Sequence, residues 1–219
     1  TAQEMAHQFK DSGVKAIVIL ANLCDKLEKI LAETAIETVI VTQFGDLQKP
    51  LKRHFLNFAI KYIRKLVPAY SLNNTVDFHA VVNSPVPPFN YPEAGQGDDI
   101  ALILYTGGTT GFAKGAMLSH GNIFWNTVNV SLLEESMVGT SLTCAPLFHI
   151  GGLNVTTHIS LVRGVAVVLH RSFDAGAVLH DIEKYQVSTM FGAPTMFTMM
   201  SQHEAFEGTD FSSVISFNV

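Results

Sequence analysis

The sequence predicts an α/β chain with a mostly parallel sheet and flanking helices, and three observations carry that expectation. Short apolar, β-branched runs recur at Val14–Leu20, Thr38–Thr42, Ile100–Tyr105 and Val165–Leu169. Each has strand length, and none approaches the ~18 apolar residues of a membrane span. Segments with helical start and stop signals separate them, and strands alternating with helices at this spacing favour crossovers and parallel pairing.

The elements follow in order. Thr1 and Glu4 have the spacing of a capping box, which opens a short helix that Gly13 stops. After the strand at 14–20, Asn22 is positioned to cap a second helix through about Ala32, and 38–42 forms the next strand. Lys49–Leu66 reads as a basic, aromatic-rich amphipathic helix ended by Pro68. Residues 83–97 hold Pro85, Pro87, Pro88 and Pro92 with Gly95 and Gly97, a connection between 1–82 and 98–219. Beyond it come a strand at 100–105, a glycine-rich loop at 106–115 and a strand at 116–119. A helix at 121–131, a strand at 141–144 and a loop at 145–152 follow. A strand at 165–169, a helix at 175–185, a strand at 188–191 and a helix at 194–202 complete the series. Val214–Val219 reads as a strand without turn or cap, which suggests truncation.

Bulk composition narrows the class. With 219 residues, 47% of them hydrophobic and 15% charged, the chain is globular. A net charge of −5 excludes a nucleic-acid partner held by overall charge, so any anion site must be local. Cys24 and Cys144 have no CxxC or metal-ligand spacing and read as two buried thiols in a reducing, cytoplasmic setting, with a disulfide between them as the alternative.

The segment Thr106-Gly107-Gly108-Thr109-Thr110-Gly111-Phe112-Ala113-Lys114-Gly115 carries the chemistry. Four glycines let the backbone approach a ligand, three threonines add hydroxyls, and Lys114 adds a full positive charge. That inventory suits a polyphosphate. It is not a Walker A loop, because Lys114 lacks a preceding glycine and a following Ser or Thr. The segment resembles the phosphate-binding signature T-[SG]-G-[ST]-T-G-x-P-K-G of the adenylate-forming superfamily of acyl-CoA synthetases, luciferases and adenylation domains. It departs from that pattern at Ala113, and the TGGTTG-x-AKGA form is most similar to bacterial long-chain fatty-acyl-CoA synthetases. Met117-Leu118-Ser119-His120 also fits, with a helix starting just after.

A second block, Pro146-Leu147-Phe148-His149-Ile150-Gly151-Gly152, resembles the superfamily's P-L-[FY]-H-x-x-G motif. Phe191-Gly192-Ala193-Pro194-Thr195 resembles the segment leading to the substrate pocket. The resemblance implies part of the large N-terminal domain of an adenylate-forming enzyme, with the C-terminal domain absent and the fragment inactive alone. It implies a ligase that converts a long-chain fatty acid to acyl-adenylate with ATP and then to acyl-CoA with coenzyme A. It further implies that Thr106, Gly107, Gly108, Thr109, Thr110, Gly111, Lys114 and Gly115 hold the nucleotide. By the same resemblance Thr106 contacts Mg2+, Lys114 and His149 are catalytic, and Phe148 lines the acyl pocket. A homodimer is compatible with it. His7, His54, His79, His158, His170, His180 and His203 have no ligand spacing and read as surface or core residues.

Lys49, Lys52, Arg53, Lys61, Arg64 and Lys65, six of the fourteen basic residues, lie in 49–66 with no acid among them. Phe55, Phe58, Tyr62 and Leu66 are interleaved. Two readings stay open there, a helix packed on the sheet with a solvated basic face, and a peripheral contact with the anionic cytoplasmic face of a membrane. An adenylating ligase for an aryl or amino acid, and a non-catalytic membrane-associated fragment, also remain open.

Overall fold

The computed structural model describes residues 1–85, 97–108, 111–133 and 138–219. The connection expected at 83–97 falls almost wholly outside them. The chain divides into two compact units, Thr1–Ala94 with Tyr105–Ala116, and Gly95–Leu104 with Met117–Val219.

In the first unit helix α1 (Ala2–Ser12) starts on the expected capping box and ends at Gly13, whose φ of 62° is left-handed and cheap for glycine. Strands β1 (Ala16–Leu20) and β2 (Thr38–Thr42) pair in parallel, Ala16 opposite Thr38 through Leu20 opposite Thr42. Asn22 does not cap a long helix. It lies in a 3-10 turn, and α2 (Cys24–Glu28) starts without a side-chain cap and breaks after one turn. Leu27 and Ile30 both reach a core with Ile19, Cys24 and Val39. The amphipathic segment begins as α3 (Pro50–Phe58), with proline at its first turn, and continues as a π-helical turn over Ala59–Ile63. It stops before Pro68, at Lys65, whose φ is 51°. Two further elements, β3 (Thr75–Asp77) and α4 (Phe78–Asn83), carry no signal in the sequence. β3 pairs parallel to β2, giving the order β1-β2-β3, and Asp77 caps α4 through the Ala80 N–H at 2.9 Å.

β4 (Ile100–Gly108) and β5 (Gly111–Ser119) are hydrogen-bonded neighbours in a two-stranded sheet. Residues 106–108 and 111–115 are therefore strand rather than the irregular loop expected. β-Pairing overrides the high glycine content here, since each strand satisfies those backbone groups of the other that face it.

In the second unit α5 (His120–Leu133) is capped reciprocally. The Asn122 N–H donates to Ser119 Oγ at 3.2 Å and the Ser119 N–H to Asn122 Oδ1 at 3.0 Å. β6 (Thr140–Thr143), β7 (Ala166–Leu169), β8 (Val187–Phe191) and β9 (Ser216–Asn218) form one parallel sheet ordered β7-β6-β8-β9. α6 (Ile159–Val162) precedes β7, while α7 (Ala175–Tyr185) and α8 (Pro194–Ser201) flank β8 in sequence. Asp174 caps α7, accepting from the Ala177 N–H at 2.8 Å. Val178, Leu179 and Ile182 of α7 pack with Leu142, Val187, Met190 and Met200 in the core. At about 1.5–3 kcal/mol per buried aliphatic side chain, this cluster is the main source of the unit's stability.

Candidate functional site

The glycine-rich segment is anchored to α1 within the first unit. Tyr105 Oη donates to the Gln8 carbonyl at 3.1 Å and to Asp11 Oδ2 at 2.7 Å. His7 Nε2 lies 2.9 Å from the Ala113 carbonyl oxygen. Burial and the Asp11 carboxylate push the Tyr105 phenol above its ordinary value, so it stays a neutral donor. Thr106 Oγ1 reaches the Lys114 carbonyl at 3.5 Å, the limit of a hydrogen bond, and so brings two predicted residues opposite one another.

Lys114 is exposed, and its ammonium has no acidic partner among the described residues. A Cβ added at Gly107 would meet nothing within 4 Å, and its φ is not positive. The fold thus makes no demand for glycine at 107. Gly107, Ala113, His7 and Gln8 line a cleft of about 560 Å³. Gly115 is half-buried on β5. Nothing is placed at Thr109 and Thr110, which lie outside the described residues, and Gly108 and Gly111 are described only as strand positions.

The second predicted segment follows β6 in the other unit. β6 has β7 on one side and β8 on the other, so the chain reverses its direction of progress across the sheet there. Crevices beyond the carboxyl ends of strands at such a reversal are where open α/β sheets bind ligands. His149 lies six residues past the end of β6, exposed. Its own N–H donates to the Pro146 carbonyl at 3.0 Å, and its Nδ1 accepts from the Gly151 N–H at 3.1 Å. An accepting Nδ1 leaves the ring proton on Nε2, so the free edge of the ring offers a donor. Phe148 is also exposed.

Immediately afterwards the chain forms a π-helical segment, Gly151–His158, which the sequence reading took partly as loop. Gly152 permits it. A Cβ there would stand 2.3 Å from the Pro146 oxygen and 2.8 Å from that of Ala145. A Cβ at Gly151 would lie 3.4 Å from the Phe191 ring, so the turn after β6 meets the end of β8. This brings together two segments, 146–152 and 191–195, that the sequence flagged separately.

A partly buried polar chain carries no clear motif in the sequence. Asn154 Nδ2 donates to Asn126 Oδ1 at 2.6 Å, and Asn154 Oδ1 lies 2.8 Å from His158 Nδ1, itself 3.2 Å from Thr127 Oγ1. Its only sequence signal was polar residues at helical spacing in 154–158. Cys144 is buried, and burial pushes its thiol up to about 11, which removes it as a nucleophile at neutral pH. No cluster of three His, Cys, Asp or Glu residues able to hold a metal exists among the described residues. A single hydroxyl, that of Thr106, nevertheless fits Mg2+, which keeps several waters and needs few protein ligands.

The fold and these two segments define a class, the α/β proteins with parallel sheets, flanking helices and a glycine- and threonine-rich segment. The family model described as AMP-binding enzyme matches residues 1–217, and the chain belongs to that family. It is 35% identical over 222 residues to a long-chain-fatty-acid–CoA ligase of Haemophilus influenzae, covering 98% of this chain and 39% of the relative. A feruloyl-CoA synthase of an Amycolatopsis species is 44% identical over 119 residues, covering 53% of this chain and 24% of the relative. The ATP-bound structure of MatB from Rhodopseudomonas palustris shares the fold, with a TM-score of 0.70 and 22% identity over 99% of this chain and 37% of that one. The chain thus spans about two fifths of the length of its curated ligase relative. No helix among the described residues is long and apolar enough to cross a membrane.

Proposed function

We propose that the chain carries the nucleotide-handling part of an ATP-dependent ligase that activates a long-chain fatty acid for transfer to coenzyme A. The observation that carries this reading is an exposed Lys114 without an acidic partner among the described residues, on the strand next to that of Gly107, a glycine that the fold itself does not require. In the reaction the acid's carboxylate oxygen attacks the α-phosphorus of ATP, the bond to the β-phosphate breaks, and pyrophosphate leaves. The thiolate of coenzyme A then attacks the acyl carbon and AMP departs.

Backbone N–H groups of Gly107, Gly108 and Gly111, with the hydroxyls of Thr109 and Thr110, hold the β- and γ-phosphates, and Gly115 keeps room for them. Lys114 neutralises charge developing on the leaving pyrophosphate, the kind of fixed electrostatic aid that dominates such reactions. Thr106 is the contact for Mg2+, which supplies further neutralisation when bound. His149, with its proton on Nε2, donates to an oxygen of the α-phosphate or of the carboxylate. Phe148 lines the acyl pocket. In the full-length protein Lys114→Ala or Thr109→Ala is expected to lower acid-dependent pyrophosphate exchange by about 10²–10³-fold. Wild-type exchange in both variants refutes the assignment.

The higher identity to a feruloyl-CoA synthase over half of the chain favours a second reading, an aryl acid as substrate. Pyrophosphate exchange across a panel of fatty, aryl and amino acids decides between them. A peripheral membrane contact is supported by the exposed Phe55 (71%), Phe58, Tyr62 and Leu66 among the basic residues of 49–66. A Lys52/Arg53/Lys61→Glu variant is expected to lose binding to anionic vesicles. The same proposal includes a cytoplasmic setting and a homodimer, the latter checked by light scattering on the full-length protein.

A further inference from the structure

A second cavity in the first unit lies away from the glycine-rich segment and has the chemistry of an anion site. It encloses about 540 Å³ just past the carboxyl ends of β2 and β3, where Gln43 and Asp46 follow one strand and Asp77 and His79 close the other. That is the end of a parallel sheet at which ligands bind. α3 and the π-helical turn after it form the opposite wall with Arg53, His54 and Lys61.

The wall is built to close tolerances. The Gly45 N–H donates to Asn57 Oδ1 at 2.8 Å, and a Cβ on Gly45 would stand 2.7 Å from that oxygen and 3.0 Å from the Arg53 carbonyl. The turn 43–46 is therefore pressed on α3, which fixes the Arg53 backbone.

Both acids in the cavity wall are committed to the fold. Asp46 is 6% exposed and accepts from the Gln43 N–H at 2.6 Å, Thr42 Oγ1 at 3.1 Å and Asn57 Nδ2 at 3.0 Å. Asp77 caps α4. The cations are held more loosely, the Lys61 ammonium resting over the Tyr62 ring 5.4 Å from its centroid. Arg53 Nη2 lies 3.3 Å from His54 Nε2, and Arg53 Nη1 is buried without a hydrogen-bond partner among the described residues. No ion pair among the described residues involves Arg53 or Lys61. A guanidinium on the cavity wall with no carboxylate partner is open to a charge-assisted contact with a bound anion.

We propose that this cavity binds a phosphomonoester, with Arg53 as the anchoring fork and Lys61 as the second charge. Donors stand on opposing walls, Arg53 and Lys61 on one and His79 on the other. A planar carboxylate engages one fork, whereas a tetrahedral oxyanion with three free oxygens engages both walls. The ester is carried either by a soluble metabolite or by a lipid headgroup. The inference is independent of the adenylation reading.

The test uses the full chain and two probes. Isothermal titration with inorganic phosphate, run in the Lys114→Ala background so that residues 106–115 do not compete, is expected to show one site at millimolar concentration. Arg53→Gln and Lys61→Gln are each expected to weaken it at least about tenfold, the loss of one charge-assisted contact, with unchanged circular dichroism. Co-sedimentation with phosphatidylcholine vesicles carrying phosphatidic acid, against phosphatidylserine at matched charge, separates the sources. Preference for phosphatidic acid, displaced by inorganic phosphate, assigns the lipid headgroup; phosphate binding with no preference between vesicles assigns a soluble ester. Absence of phosphate binding overturns the proposal. So does unweakened binding in Lys61→Gln, an exposed position whose variant folds even if Arg53→Gln does not.

Discussion

β1 and β8 invert the relation between hydrophobicity and burial. β1 reads Ala16-Ile-Val-Ile-Leu20, apolar throughout, yet Val18 is 57% exposed. β8 reads Val187-Ser-Thr-Met-Phe191, and Ser188 and Thr189 are both buried. Position in the sheet explains the difference. β8 lies between β6 and β9, with the α7 and α8 side chains covering Val187 and Met190, whereas β1 is an edge strand with one covered face. Composition records which strands tolerate burial; the neighbours decide which strands receive it.

The largest effect that sharpens this contrast is expected from Gly152→Ala in the second unit. The new Cβ meets backbone oxygens that cannot step aside, and the loss is expected to exceed about 3 kcal/mol. Trp125, the only tryptophan, lies in the same unit and reports its unfolding in a urea titration. A midpoint equal to wild type contradicts the close approach.

Next in size is the direct comparison of strands. Met190→Ala is expected to cost about 2–5 kcal/mol, as cavity formation does in cores, and Val18→Thr no more than about 0.5 kcal/mol. Similar losses in both would break the contrast.

The smallest effect concerns the two thiols. Burial raises both, Cys144 to about 11. A thiol raised on folding stabilises the native state below its unfolded value near 8.5, and that contribution is lost as pH climbs through the folded value. Stability is therefore expected to fall between about pH 8.5 and 11, less steeply in Cys144→Ala. Iodoacetamide is expected to label Cys144 at pH 8 only after denaturant is added; rapid labelling of the native chain refutes its burial.

Local signals were the legible part. Thr1 with Glu4, Gly13, and the β-branched run 38–42 each act through neighbours in sequence, and the structure places their elements as expected. The short β3 and α4 were not legible, because three-residue strands carry no periodicity and exist only through pairing with β2. Nor was the π-helical segment, since Gly151-Gly152 reads as loop until the Pro146 carbonyl is known to lie against it. Lys114 and His149 stood out by type and motif. The strand geometry of 106–108 and 111–115, and the cavity joining Asp46, Arg53 and His79, depend on residues distant in sequence and left no trace there.

The division of the chain has a consequence for how the molecule can be cut. Residues 105–116 belong with 1–94, while 95–104 belong with 117–219, so the polypeptide passes between the units three times. No single scission separates them intact. During synthesis the first unit stays unfinished until Ala113 emerges to meet His7, so its completion and the opening of the second unit overlap in time.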